Sequence, residues 1–200
     1  MSTLCEHRAF FEEGITFYKS AQVLQLPKNR DDDIDLFSPI IFLFRHSAEL
    51  LFKAIIIKKM LEWGYTDWQA KKIPSNNRRL LSTHSILELY NAWRELAEIN
   101  KESLTDKTLL EEYVNSIERY DSDSTFFRYP IDKSGNRNRK AMTEDLDEEL
   151  LNSLPCSLGA IVCANGINNF SCLHREQCME YLEQDMERLL EMLIDIYETE

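Results

Sequence analysis

Two hundred residues with five glycines and five prolines, against about 14 and 10 at average usage, disfavour turn-rich sandwiches, barrels and α/β folds. Hydrophobic residues at 44% exclude wholesale disorder. With 23 basic against 35 acidic side chains, the net charge of −12 excludes a general nucleic-acid coat but leaves room for a local basic site.

In chain order, Met1 to Arg8 hold no apolar signal core. Residues 6 to 25 repeat with helical period, Phe10, Gly14, Phe17, Ala21 and Leu24 forming one stripe. Pro27 and the acids Asp31, Asp32 and Asp33 end that helix in a solvated loop. Ser38 as cap and Pro39 at the first position open a second helix, which runs to about Glu62. It is apolar nearly all round, so it belongs in the middle of the fold. Arg45, His46, Glu49 and Lys53 break its apolar run, which therefore does not read as a membrane span.

Trp63, Gly64 and Tyr65 stop this helix, and residues 65 to 82 read as irregular. Ser82 or Thr83 is expected to cap a third helix with Ile86, Leu89, Tyr90, Trp93, Leu96 and Ala97 inward. Ser103 or Thr105 is expected to cap a fourth, burying Leu110, Tyr113, Val114 and Ile117. Residues 121 to 142 break the pattern with turn residues, aromatics and bases, as a loop or short hairpin. Thr143 caps a further helix that Pro155 interrupts, and Arg175 to Tyr197 form the last, with Leu182, Met186, Leu189, Leu193 and Ile196 on one face. The expectation is one all-α domain, a bundle of five to seven helices.

Three polar signals stand out. Arg45, His46, Glu49 and Lys53 are spaced i,i+3 and i,i+4, which puts them on one side of a greasy helix. They form either an ion-pair ladder that clips the helix to its neighbours or a preorganised polar site. His84 stands at the start of the third helix. From Arg128 to Lys140 five bases (Arg128, Lys133, Arg137, Arg139, Lys140) face one acid, Asp132. With Phe126, Phe127 and Tyr129 among them, they suit a phosphate, a nucleotide or single-stranded nucleic acid, or else form a loop pinned by its aromatics.

Cysteine usage is odd in number, five, with no CxxC pair, and reads as free thiols in a reducing, cytoplasmic setting. Cys163, Cys172, His174 and Cys178 do not match the paired spacing of a structural zinc finger, so no metal or other cofactor is expected.

Phe44-Arg45-His46-x-x-Glu49-Leu50-x-x-Lys53-Ala54, the later His84-x-x-Leu87-x-x-Tyr90, and Asp123-Ser124-x-Phe126-x-Arg128-Tyr129-Pro130 together resemble one branch of the HEPN superfamily. Those are small all-helical domains common in bacterial toxin–antitoxin and phage-defence systems. The resemblance covers roughly residues 38 to 135 and implies a helical bundle that often dimerises. Many members are metal-independent ribonucleases, in which an Arg-x4–6-His motif from each of two chains meets at the interface. There the His moves a proton at the ribose 2′-oxygen or the leaving oxygen, and the Arg stabilises the phosphate charge.

Arg45 and His46 are adjacent and do not have that spacing; Arg78 or Arg79 with His84 does. The resemblance therefore implies two readings. In the first, a non-catalytic module holds a nucleotide or RNA end with Arg45, His46, Glu49, Lys53, His84, Arg128, Tyr129, Lys133 and Arg137. In the second, a ribonuclease uses His84 as acid–base group, with Arg45, Arg79 or Arg128 holding the phosphate and His46 beside them. A structural subunit bound to a partner protein encoded nearby is a third.

Overall fold

The computed structural model describes residues 6–26, 37–65, 67, 72, 79–101, 107–120 and 170–199. Among these are five α-helices and no β-strand: α1 (Glu6–Gln25), α2 (Phe37–Glu62), α3 (Ile86–Ile99), α4 (Lys107–Tyr120) and α5 (Phe170–Thr199). The all-α bundle expected from the scarcity of turn residues is what forms.

Helix α2 packs against α1, α3 and α5, and α4 joins α3 to α5. This follows from composition: every residue from Ser47 to Ile57 is buried, so neighbours must cover α2 on all sides. Phe44, Leu51, Phe52, Ile55 and Ile56 form the centre of the core, with Tyr90 and Trp93 of α3 and Leu189, Leu190 and Leu193 of α5. In α4, Leu110, Val114 and Ile117 are buried as expected, while Tyr113 is half-buried. Ile196, expected inward on α5, is also half-buried.

Helix α1 buries one stripe, and at Gly14 it lies close against α2. A Cβ built there would lie 3.1 Å from Leu51 Cδ2 and Cγ. At the same crossing Ser47 Oγ donates to the Gly14 carbonyl at 2.7 Å. The absent side chain lets α2 lie close and lets a buried hydroxyl find an acceptor.

Three helix ends meet at Tyr197. Phe11 stacks on its ring at 3.9 Å between centroids, its hydroxyl shares a hydrogen bond with His7 Nδ1 at 2.8 Å, and its carbonyl accepts from Lys58 Nζ at 2.7 Å. Burial foremost, then the Lys58 charge, pushes the His7 imidazole down, which favours the neutral ring.

Local details differ from expectation. Helix α2 begins at Phe37, so Ser38 is inside the helix rather than its cap, and Pro39 sits within the first turn, where no intrahelical N–H is required. Helix α5 starts at Phe170, five residues before Arg175. Helix α2 does stop at Trp63–Tyr65, where Gly64 takes φ +83°, a left-handed conformation suited to glycine.

The cap of α3 is Ser85, not Ser82 or Thr83. Residues Leu80–Ser82 make a 3-10 turn, and the Ser82 and Thr83 hydroxyls donate to the Arg79 carbonyl at 2.9 and 3.2 Å. Ser85 Oγ instead accepts from Glu88 N at 3.1 Å. The run Ser85-Ile-Leu-Glu88 has capping-box spacing, a signal that points to Ser85. The expected caps Ser103 and Thr105, the 121–142 segment and the Thr143 helix lie outside the described residues.

Candidate functional site

The polar side chains of α2 gather beneath the loop that leads into α3. Arg45, Glu49 and Lys53 lie on successive turns and are each buried. Helical spacing brings Lys53 to Glu49, its Nζ donating to Oε1 at 2.7 Å. The same oxygen meets His84 Nδ1 at 3.0 Å, across 35 residues of chain. Arg45 Nη1 donates to the His84 carbonyl at 3.2 Å, and Lys53 Nζ reaches the Leu81 carbonyl at 3.4 Å. Two buried cations thus hold the backbone of the loop while a buried carboxylate orients its histidine.

From the other side, Ser85 Oγ donates to Glu118 Oε1 of α4 at 2.7 Å, and Leu87 N to Glu118 Oε2 at 3.4 Å. Glu118 is therefore a second support of the His84 loop, placed favourably at the positive end of α3. Sequence spacing gave no sign of it, since its partners lie on another helix.

His46 approaches the second carboxylate oxygen: its Nδ1 lies 3.9 Å from Glu49 Oε2, an electrostatic distance rather than a hydrogen bond. Its ring stacks with Phe42 and meets the edge of Phe17 of α1. The two histidines differ in access. The side chain of His84 is 50% exposed and that of His46 24%, above a Glu49 that is 2% exposed.

Burial alone would raise the Glu49 carboxyl. His46 facing Oε2, the bonded Lys53 ammonium and the His84 ring outweigh it and hold the carboxyl at about 2, down from 4.5. The Lys53 bond at 2.7 Å is the firm part of this set. A carboxyl lowered on folding contributes stability that is fully present above about pH 4.5 and is lost as pH falls toward 2. The stability difference between the native chain and Glu49→Gln, measured by urea unfolding, should therefore be constant near neutrality and shrink across that window. A difference that does not change with pH would contradict the assignment.

The candidate residues separate into three groups. Arg45, His46, Glu49, Lys53 and His84 come together. Arg79 does not join them through its guanidinium: the residue is exposed, and what it gives the loop is its carbonyl and a backbone bridge to Lys72. Arg128, Tyr129, Lys133 and Arg137 lie outside the described residues. Among the described residues no three His, Cys, Asp or Glu side chains are grouped to hold a metal, and no helix is long and apolar enough to cross a membrane.

With the site defined, comparison finds no family model, curated protein or solved structure that matches the chain.

Proposed function

We propose that this chain is a HEPN-like module that binds a nucleotide or RNA end at the His84 edge of the buried ladder, within a bacterial defence or toxin–antitoxin type of system. The observation that carries this reading is the charge beneath the exposed histidine. Arg45 and Lys53 are buried with Glu49 directly beneath it, in a chain whose net charge is −12. An anion reaching His84 would lie above two buried cations that the overall composition hides. In this reading Arg128, Tyr129, Lys133 and Arg137 add cations and a stacking ring from the segment that follows α4. The chain works as a homodimer, or with a partner protein, in the cytoplasm.

The test is anisotropy of a labelled single-stranded RNA with the native chain and His84→Ala. Loss of one charge-assisted hydrogen bond predicts binding weaker by about tenfold or more. Equal binding by the two proteins, or none by the native chain, would overturn the reading.

A second reading, a metal-independent ribonuclease, is favoured by the contact between Glu49 and His84. With Nδ1 engaged by the carboxylate, Nε2 makes no hydrogen bond among the described residues. That is the arrangement of a general base held in one tautomer. In this reading Nε2 takes the proton of a ribose 2′-hydroxyl or gives one to the leaving oxygen. RNA cut in the presence of a chelator by the native chain, and left whole by His84→Ala, would establish it.

A further inference from the structure

His84 lies between Thr83 and Ser85, both extended, in the stretch that joins the 3-10 turn to α3. Extended backbone of this kind has no ladder of its own, so its position is set by what it touches. Two tethers come from α2. Arg45 Nη1 donates to the His84 carbonyl at 3.2 Å, and Glu49 Oε1 meets the ring at Nδ1 at 3.0 Å. Arg45 and Glu49 are one turn apart on the same side of their helix. Two points leave a body free to swing about the line that joins them. A third tether comes from a different helix. Ser85 Oγ donates to Glu118 Oε1 of α4 at 2.7 Å, and Leu87 N donates to Oε2 at 3.4 Å.

We infer that Glu118 is the positioning residue of the His84 site: from α4 it fixes the direction in which the exposed imidazole faces a ligand. The inference rests on the binding reading above for its ligand. Ser85 carries one hydroxyl proton, which goes to Glu118, while its oxygen accepts from Glu88 N at 3.1 Å. The carboxylate thus sets the orientation of the cap of α3, on the residue next to His84. Glu118 is itself firmly carried. Val114 and Ile117 of α4 are buried, and Ser116 Oγ donates to Asp185 Oδ2 of α5 at 2.9 Å. Ser116 and Glu118 are two residues apart, about 200° around the helix. Helix α4 is therefore held to α5 on one side and holds the loop on the other, a rigid support of the kind a binding side chain needs.

Charge and position act in opposite directions here. A carboxylate beside an anion site opposes binding through its charge. Removing a group with that effect alone tightens binding; removing a group that positions His84 weakens it. Glu118→Ala removes both the charge and the tether. Glu118→Gln removes the charge and keeps an oxygen that can accept from Ser85 Oγ.

The experiment measures anisotropy of a labelled single-stranded RNA with the native chain, Glu118→Ala, Glu118→Gln and Glu112→Ala, an exposed acid on the same helix. Glu118→Ala should bind about tenfold more weakly. Glu118→Gln should bind at least as tightly as the native chain, and Glu112→Ala should not weaken binding. A merely structural role would lower the urea midpoint and leave the affinity of the folded chain unchanged.

The imidazole signals of the ligand-free chain test the placement without RNA. In Glu118→Ala those of His84 should move and the Leu87 amide should exchange faster, while His7, which contacts Tyr197, stays as it is. If Glu118→Ala does not fold by circular dichroism, Glu118→Asp takes its place, keeping the charge and shortening the reach, and should weaken binding too. Binding by that variant equal to or tighter than native overturns the inference and leaves the binding reading standing. Glu118→Gln as weak as Glu118→Ala, or His84 signals that do not move, overturns it as well. If the native chain binds no RNA, the binding reading falls; moved His84 signals then still support the positioning, and unmoved ones overturn it.

Discussion

Glu49→Ala should destabilise the chain by about 3 to 5 kcal/mol, the scale for removing one partner of a buried ion pair. The carboxylate is 2% exposed and bonds Lys53 Nζ at 2.7 Å and His84 Nδ1 at 3.0 Å. Without it, Lys53 keeps only the longer contact to the Leu81 carbonyl, at 3.4 Å, for its charge. The ammonium must then shed a proton or draw in water, and either is costly at a buried site. Pairing the change with its partner is the informative control. Glu49→Leu with Lys53→Met replaces both charges by apolar volume and should recover most of the loss, because an apolar pair carries no desolvation penalty.

A second control is Glu62→Ala, whose carboxylate meets Lys59 at 3.5 Å but is 45% exposed. It should cost less than about 1 kcal/mol. The measurement is the urea midpoint with unchanged slope. If Glu49→Ala stays within about 1 kcal/mol of the native chain, the ladder is not holding the His84 loop.

Gly14→Leu is expected to cost about 3 kcal/mol by overpacking the crossing of α1 and α2. A Cβ alone would sit 3.1 Å from Leu51 Cδ2 and Cγ and 3.4 Å from Leu50 Cβ, and the remaining carbons of a leucine have nowhere to go without spreading the helices. Spreading also stretches the bond from Ser47 Oγ to the Gly14 carbonyl, 2.7 Å long and buried. Gly14→Ala should differ sharply. Alanine favours a helix over glycine by about 1 kcal/mol, and the two atoms at 3.1 Å, Cδ2 and Cγ, belong to one leucine side chain, which can yield by a few tenths of an ångström. That variant should lie within about 1 kcal/mol of native, and Leu51→Ala should partly rescue Gly14→Leu. Thermal unfolding of the four proteins checks both signs. A Gly14→Leu chain as stable as the native would mean that α1 does not pack here.

The buried groups were legible in proportion to how local their causes are. Phe10, Gly14, Phe17, Ala21 and Leu24 marked the inner side of α1 because 3.6 residues per turn place them together, although only Gly14 and Ala21 are fully buried. The same spacing placed Glu49 beside Lys53. It missed the cap of α3, because the hydroxyls of Ser82 and Thr83 turn back to the Arg79 carbonyl and leave Ser85 to do the capping. Arg79 stood at a family-like distance from His84 in sequence, yet its guanidinium does not join the cluster. A count of residues along a 3-10 turn says little about where a long side chain lies.

Helix content, the central place of α2 and the need to pair its charges were all implied by the order of residues. Each depends on composition or on contacts within one helical turn, where geometry is fixed by the backbone hydrogen bonds. Which partner each charge takes depended on the packing of separate helices. The carboxylate of Glu49 meets His84 across 35 residues, and Ser85 meets Glu118 across 33. No spacing rule reaches that far, because the separation in sequence does not fix the separation in space once the chain has turned. The net charge of −12 is likewise a sum without positions. Packing gathered the buried charges of Arg45, Glu49 and Lys53 beneath His84, a local arrangement that the sum does not show.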